Sequence, residues 1–123
     1  MSTKTLIIDD DPRNIFAMAA ILKSRGFQCL SATSAKEGIE QLKKDSDIKL
    51  VLLDMMMPDM DGYEALKIIR ADQALMSVPV IAVTAQAMVG DREKCFEAGA
   101  DQYIAKPVDI DKLLVVIASH INA

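Results

Sequence analysis

The chain has 123 residues, of which 51% are hydrophobic and 4% aromatic, and its formal net charge is −4. This length suits one domain with one core. The negative charge and the lack of a basic stripe argue against binding to a nucleic-acid backbone, and the few aromatic side chains argue against a surface on which bases stack.

Residues 1–4 lead directly into a strand-like segment, so we expect no signal peptide. The apolar stretch at residues 113–118 is much shorter than the roughly 20 residues that cross a bilayer, so we expect no membrane insertion. Cys29 and Cys95 lie far apart without a CxxC spacing, which favours buried free thiols over a disulfide or a zinc site. These features together predict a cytoplasmic protein.

The first strand is predicted over residues 5–9, a short apolar segment. Pro12 suits the first turn of the helix that follows, and Gly26 ends that helix. Its buried side recurs at i, i+3, i+4 and i+7, at Ile15, Met18, Ala19 and Leu22.

The second strand is predicted over residues 28–32. Ser34 is a candidate N-cap for the second helix, and Glu37, three residues later, completes a capping box. The buried stripe of this helix consists of Ala35, Ile39 and Leu42.

The third strand, residues 50–54, begins with four consecutive apolar residues. Such a run without polar alternation indicates burial on both faces, as at the centre of a parallel sheet. The loop over residues 55–62 contains Asp59 and Asp61, which we expect to shape the chain before a third helix at residues 63–70.

A fourth strand is predicted at residues 80–84, and a fourth helix at residues 88–98 ends at Gly99. The fifth strand covers residues 102–105, and Asp109 caps the last helix. The inner side of that helix is predicted to consist of Leu113, Leu114, Ile117 and Ile121.

The alternation of strands and helices predicts an α/β fold, a doubly wound parallel sheet with helices on both faces and right-handed crossovers. No linker or repeat interrupts the chain, so we expect a single domain over residues 1–123. Ligands of such folds bind outside the carboxyl ends of the strands.

Polar side chains follow four of the predicted strands at those ends. They are Asp9, Asp10, Asp11, Asp54, Thr84 and Lys106. Clustered carboxylates repel one another and need a compensating cation. A hard divalent ion such as Mg2+ prefers oxygen ligands, so the sequence predicts a metal-assisted acidic site with a cationic side chain opposite.

Structural interpretations compete with these assignments. Asp11 precedes Pro12, and for this residue we favour an N-cap over a metal ligand. Thr84 is also an ordinary strand residue, and Lys106 is also compatible with a solvated lysine. The methionine run at residues 55–57 indicates adaptable packing rather than a copper site, because no His or Cys accompanies it.

Taken together, the motifs resemble the receiver domain of two-component response regulators, over essentially the whole chain. They are Asp9-Asp10, Asp54 followed by Met-Met-Met-Pro-Asp-Met-Asp-Gly, Val83-Thr84-Ala85 and Lys106-Pro107. The segment over residues 83–95 is most similar to receivers attached to hybrid histidine kinases or working beside them.

The resemblance implies a flavodoxin-like sheet of strand order 2-1-3-4-5 and a phosphoryl group received on Asp54. The donor would be a phosphohistidine of a histidine kinase or of a histidine phosphotransfer protein. The resemblance also implies Mg2+, with Mn2+ as a substitute, held by Asp10, Asp54 and the backbone carbonyl of Met56. Asp9 would act mostly through a bound water.

In the same family, Thr84 and Lys106 would bind the phosphoryl oxygens, and the small Ala85 would leave room for them. Thr84 would then move toward the phosphoryl group, and Tyr103 would turn inward. The surface of the fourth helix, fifth strand and fifth helix would change for a downstream protein. The chain would be a switch that assists only its own phosphorylation and dephosphorylation.

Two positions bear on the lifetime of the phosphorylated state. Met56, two residues after Asp54, has no side-chain group that orients a water, whereas Gln86, two residues after Thr84, does so weakly. We therefore expect slower self-dephosphorylation than in a relative with an amide or a carboxylate at the Met56 position.

Two other functions fit parts of the pattern. A Mg2+-dependent phosphatase with an aspartyl-phosphate intermediate needs an acid two residues after the nucleophile, and Met56 cannot donate a proton. A flavin-binding module needs a Ser/Thr/Gly-rich phosphate loop after the first strand, whereas residues 9–14 read Asp-Asp-Asp-Pro-Arg-Asn. A free-standing regulator and a receiver from a larger kinase both remain compatible with the sequence.

Overall fold

The computed structural model describes residues 3–85 and 90–120. Strands and helices alternate along these residues. They are β1 (Lys4–Ile8), α1 (Pro12–Ser24), β2 (Gln28–Ala32), α2 (Ala35–Lys44), β3 (Ile48–Asp54), α3 (Gly62–Ala71), β4 (Val80–Thr84), α4 (Asp91–Ala98), β5 (Gln102–Ala105) and α5 (Ile110–His120).

The five strands form one sheet in the order β2-β1-β3-β4-β5, and every neighbouring pair is parallel. This arrangement confirms the predicted fold class and strand order. The central strand β3 lies between β1 and β4, and its residues from Leu50 to Asp54 are all buried. The unbroken apolar run therefore corresponds to a strand covered on both faces.

Alternate side chains of β3 enter two separate cores. Val51 and Leu53 pack in a core with the buried sides of α2 and α3 and with Cys95 of α4. Leu50 and Leu52 pack in a second core with the buried sides of α1 and α5. The sheet is thus covered by three helices on one face and by two on the other, which leaves its carboxyl edge for polar groups.

The predicted N-caps Asp11, Ser34 and Asp109 are confirmed, and Asp61 caps α3 in the same way, a role that the sequence analysis did not assign. The side chains of Asp11 and Ser34 accept hydrogen bonds from backbone N–H groups in the first turns of α1 and α2. Asp61 accepts from the Glu64 N–H at 3.0 Å, and Asp109 from the Lys112 N–H at 3.3 Å. These short polar side chains replace the intrahelical partners that the first N–H groups of a helix lack.

Several boundaries differ slightly from the predictions. Strand β1 ends at Ile8, so Asp9 lies just beyond it, and β3 begins at Ile48 because its ladder with β1 extends further back. Helix α3 includes Gly62. The predicted start of the fourth helix at Met88, like Ile121 of the last helix, lies outside the described residues.

At the amino end of the sheet, Arg70 of α3 joins three segments of the chain. Its guanidinium donates to Asp101 Oδ2 at 2.8 Å, and the same oxygen accepts from the Val80 N–H at 2.8 Å. The other guanidinium nitrogens donate to the backbone carbonyls of Gly99, Met76 and Val78. We call this group the Arg70 network.

Both cysteines carry free thiols; Cys95 is buried as predicted, whereas Cys29 is only partly buried. Across the helices that the structure describes, none combines the length and the apolar character needed to cross a bilayer.

Candidate functional site

Three carboxylates meet at the carboxyl edge of the sheet. Asp9 and Asp10 follow β1, and Asp54 ends β3; the two strands are neighbours, with Ile8 paired to Leu53. One oxygen from each carboxylate lies within 4.8 Å of those from the other two. Asp9 and Asp54 are buried, at 2% and 4% exposure, whereas Asp10 is exposed. The sequence prediction that these residues converge is therefore confirmed.

Lys106, directly after β5, reaches the same pocket. Its Nζ lies 3.5 Å from Asp9 Oδ2 and 3.7 Å from Asp54 Oδ2. Both distances exceed the roughly 2.8 Å of a short charge-assisted hydrogen bond. Within this pocket, three carboxylates face one ammonium, so full ionisation leaves two uncompensated negative charges.

The environment of Asp54 disfavours its charge. Burial raises the pKa of Asp54, and the nearby carboxylates of Asp9 and Asp10 raise it further, while the Met56 N–H and Lys106 oppose the shift. The Met56 N–H donates to Asp54 Oδ1 at 3.0 Å. An added cation would relieve this electrostatic cost directly.

Asp9 and Asp54 share a local structure that the sequence analysis missed. Each carboxylate accepts the backbone N–H of the residue two positions later, from Asp11 at 2.9 Å and from Met56 at 3.0 Å. These Asx-type bonds fix the side chains at the strand ends. The signal was present in the sequence, since an Asp followed by a turn commonly bonds in this way.

Asp11 turns away from the pocket. Its Oδ1 accepts from the Arg13 N–H at 2.9 Å and its Oδ2 from the Arg13 guanidinium at 3.2 Å. The Arg13 side chain, with the backbone bond as a second cause, lowers the pKa of Asp11. The preferred interpretation of Asp11 as an N-cap is confirmed.

The ends of β4 and β5 complete the edge. Asp54 pairs with Val83, so Thr84 lies one position further along the neighbouring strand. Thr84 is buried at 2% exposure, and its carbonyl accepts the Lys106 N–H at 2.8 Å. Ala85 is exposed at the rim.

Tyr103, an expected switch residue, and Gln86, expected to influence the lifetime of the phosphorylated state, are not part of the carboxylate cluster that the structure describes. Tyr103 of β5 pairs with Ala82 and packs, half-buried, against the core that contains Cys95. Gln86 lies outside the described residues.

The loop after Asp54 folds tightly onto α3. Asp59 adopts a left-handed φ of 65°, and Asp61 caps the helix, so both shape the loop as predicted. A Cβ added at Gly62 would lie 2.7 Å from Met55 Cα and still closer to the Met55 sulfur. The close approach of helix to loop therefore requires glycine here, a role that the sequence analysis did not assign.

Comparison with known proteins identifies the family. Residues 5–118 match the family model described as "Response regulator receiver domain". The chain belongs to this family. The predicted resemblance is confirmed, and the matched span includes the positions of Asp9, Asp54 and Lys106.

Among curated relatives, the sensor histidine kinase RcsC of Salmonella typhi is 38% identical over 113 residues, which are 92% of this chain and 12% of RcsC. The polar-differentiation response regulator DivK of Brucella ovis is 30% identical over 122 residues, 99% of this chain and 98% of DivK. The chain thus spans a small part of one relative and nearly all of the other.

Among solved structures, the receiver domain of the sensor histidine kinase PA1611 from Pseudomonas aeruginosa PAO1 superposes with a TM-score of 0.89 at 31% identity, covering 100% of both chains. That structure has a magnesium ion coordinated in its active-site cleft. A response regulator receiver protein from Pseudomonas putida gives a TM-score of 0.90 at 28% identity, covering 97% of this chain and 98% of that one. The fold is therefore that of solved receiver domains.

Membership assigns the chain to two-component signalling. Receiver domains are phosphoryl-accepting switches that act with histidine kinases and bind Mg2+ at an acidic pocket. The cluster of Asp9, Asp10 and Asp54 is similar to such a pocket in its residue types and in its position at the sheet edge.

Proposed function

We propose that Asp54 accepts a phosphoryl group from a phosphohistidine, in a Mg2+-dependent reaction, and that the phosphorylated chain signals to a downstream protein. The phosphohistidine belongs to a histidine kinase or a histidine phosphotransfer protein. The observation that carries this proposal is the convergence of Asp9, Asp10 and Asp54 within 4.8 Å, with the Lys106 ammonium 3.7 Å from Asp54.

The transfer forms a bond between Asp54 Oδ2 and phosphorus while the phosphorus–nitrogen bond of the phosphohistidine breaks. The imidazole leaves with the bonding electron pair. Asp54 Oδ1 is already held by the Met56 N–H, so Oδ2, which faces Lys106, is the oxygen we assign to the attack. The buried strand β3 holds this carboxylate in one orientation, which favours in-line attack.

The donor set fits a magnesium ion. Three carboxylates supply hard oxygen ligands, and the pKa of Asp54 is raised first by burial and then by the charges of Asp9 and Asp10. We assign Asp10, Asp54 and the Met56 carbonyl to the ion. We assign Asp9 a water-mediated role. When bound, the ion neutralises negative charge on the phosphoryl oxygens, and Mn2+, with the same ligand preference, would substitute.

Lys106 and Thr84 would bind the arriving phosphoryl oxygens. Lys106 is held loosely between Asp9 and Asp54, and its side chain is 23% exposed, so its ammonium is placed to turn toward a new anion. Thr84 is fixed beside it by the backbone bond from the Lys106 N–H. The exposed Ala85 leaves the approach open.

A groove beside Lys106 offers a docking surface for the phosphodonor. It lies between α1 and the chain after β5, and its apolar lining includes Ala17, Ile21, Pro107, Val108 and Ile110. An apolar helix face carrying the phosphohistidine would be held there next to the carboxylates.

The output surface we propose comprises α4, β5 and α5. Helix α4 follows Gly90, which makes no side-chain capping bond, and Cys95 is its buried residue. A helix with one fully buried residue is a suitable two-state element. Thr84, drawn to the phosphoryl group, would let Tyr103 turn inward and change this surface.

The test is incubation with Mg2+ and acetyl phosphate followed by intact-mass measurement. We expect one phosphate adduct, which is lost in Asp54→Asn and after removal of Mg2+ by EDTA. Asp11→Asn is the matched control, because asparagine also caps helices and Asp11 faces Arg13 rather than the pocket. An adduct that persists in Asp54→Asn would refute the assignment, and repeated turnover of an aryl phosphate would favour the phosphatase alternative.

A further inference from the structure

The three consecutive methionines after Asp54 differ sharply in burial. Met55 is 1% exposed and Met57 6% exposed, whereas Met56 between them is 48% exposed. Their chemistry is identical, and oxidation of a methionine to its sulfoxide requires access to the sulfur. Within this run, peroxide therefore has one accessible target.

That target adjoins the phosphoacceptor. The Met56 backbone N–H donates to Asp54 Oδ1 at 3.0 Å, so the residue is fixed at the rim of the pocket. Its neighbours are anchored, since Met55 packs beneath Gly62 and Met57 packs in the core. A change at the Met56 side chain therefore acts next to Asp54 without disturbing buried packing.

We propose that Met56 is an oxidation site through which peroxide shortens the lifetime of the phosphorylated state. This inference rests on the proposed function of Asp54. The Met56 sulfur takes one oxygen atom from a peroxide: a sulfur–oxygen bond forms, the peroxide oxygen–oxygen bond breaks, the thioether is oxidised to a sulfoxide, and hydrogen peroxide is reduced to water.

Oxidation of Met56 changes the hydrogen-bonding groups at the rim of the pocket. A thioether is a weak hydrogen-bond acceptor, whereas a sulfoxide oxygen is a polar acceptor. A water held by that oxygen is positioned to attack the phosphorus of the Asp54 acyl phosphate. We expect hydrolysis to accelerate about fivefold, the rate equivalent of one ordinary hydrogen bond.

The experiment compares each protein with itself before and after hydrogen peroxide. The full chain is treated, the peroxide is removed, acetyl phosphate and Mg2+ are added, and loss of the adduct is followed by intact mass after desalting. Peptide mapping locates the sulfoxides. Met76, 53% exposed and located after α3, supplies the matched control, since its exposure is similar to that of Met56 and it is not next to Asp54 in the chain.

We expect peroxide to shorten the half-life in the wild-type chain and in Met76→Leu, and to leave it unchanged in Met56→Leu. In the untreated Met56→Gln variant, a permanent acceptor should shorten the half-life, and peroxide should add nothing. Two results would overturn this inference alone. One is that peroxide accelerates hydrolysis equally in Met56→Leu; the other is that the wild-type half-life stays the same although peptide mapping finds the Met56 sulfoxide. Absence of any adduct in the untreated chain would overturn the proposed function as well.

Discussion

The two edges of the sheet use similar charges in opposite ways. At the amino edge, the guanidinium of Arg70 lies 2.8 Å from Asp101, and that carboxylate also accepts the Val80 N–H. At the carboxyl edge, the ammonium of Lys106 lies 3.5 and 3.7 Å from two carboxylates, and a third stands nearby. Charge is matched at one edge and left in excess at the other.

The difference indicates which edge serves stability. In the Arg70 network every short contact is made within the folded chain, so the network holds three segments together without an outside ligand. In the acidic pocket, repulsion is tolerated because a cation and a phosphoryl group are expected to complete it. Substitutions at the two edges should therefore separate function from stability.

The largest effect is expected at the functional edge. Lys106→Ala removes the ammonium that would bind the phosphoryl oxygens, so phosphorylation of Asp54 in the folded fraction should slow at least about 100-fold. The rate is measured with acetyl phosphate and Mg2+. Lys4→Ala is the control, since Lys4 pairs with Asp45 at 2.8 Å, away from the pocket. Equal slowing in both variants would contradict a specific role for Lys106.

The reverse pattern is expected at the amino edge. Arg70→Ala breaks the contacts to Asp101 and to the backbone carbonyls, and should lower the free energy of unfolding by about 2 kcal/mol. Phosphorylation of the folded fraction should stay at the wild-type rate. Urea unfolding measures the first quantity and intact mass the second. If Arg70→Ala were as stable as the wild type, the Arg70 network would not contribute to the stability of the fold.

Removing one charge from the acidic pocket should stabilise the fold. The raised pKa of Asp54 means that the folded state holds this proton more tightly than the unfolded state does, so its stabilising effect is present at low pH and lost as pH rises through the folded pKa. At neutral pH, Asp54→Asn should therefore raise the free energy of unfolding by about 1.5 kcal/mol, an ordinary size for one substitution.

This gain should shrink as pH falls below the unfolded pKa of aspartate, where the wild-type carboxyl is protonated in both states. Added Mg2+ should stabilise the wild type more than Asp54→Asn, because the ion binds the folded wild-type site. Thermal unfolding at several pH values, with and without Mg2+, tests both statements. If the stability gain of Asp54→Asn instead grew as pH fell, folding would have to lower the pKa of Asp54 rather than raise it.

The smallest effect concerns the lifetime of the phosphorylated state. Met56→Asn introduces an amide that orients water near Asp54, so the half-life of the aspartyl phosphate should fall about fivefold, by roughly 1 kcal/mol in the barrier. Met76→Asn makes the same exchange at a similarly exposed site. An unchanged half-life in Met56→Asn would argue against water positioning from this residue.

Local patterns predicted much of the molecule. Strands β4 and β5 have the predicted bounds, because short apolar runs end at Thr84 and before Lys106. The buried stripes of α1 and α2 follow from helical spacing alone. The pocket followed from one further rule, that carboxyl ends of parallel strands share an edge.

Contacts between distant segments could not be predicted from local sequence patterns. Arg70 bonds to Gly99 and Asp101, which lie 29 and 31 positions away, and the Tyr63 hydroxyl meets the Cys95 sulfur across 32 positions at 3.7 Å. Nothing in the neighbouring residues distinguishes these side chains from ordinary surface or core residues. The exposure of Met56 between two buried methionines was equally hidden, since it depends on the path of the loop.

The position of Asp54 at the end of β3 predicts how readily the backbone around it opens by local unfolding. Strand β3 is hydrogen-bonded on both sides, whereas β5 has one neighbour within the sheet. Amide deuterium uptake should therefore be slowest around the phosphoacceptor and faster toward β5 and α4. The chemistry would occur on a strand that is paired on both sides, and β5 and α4, which should open more readily, would transmit its effect to the surface.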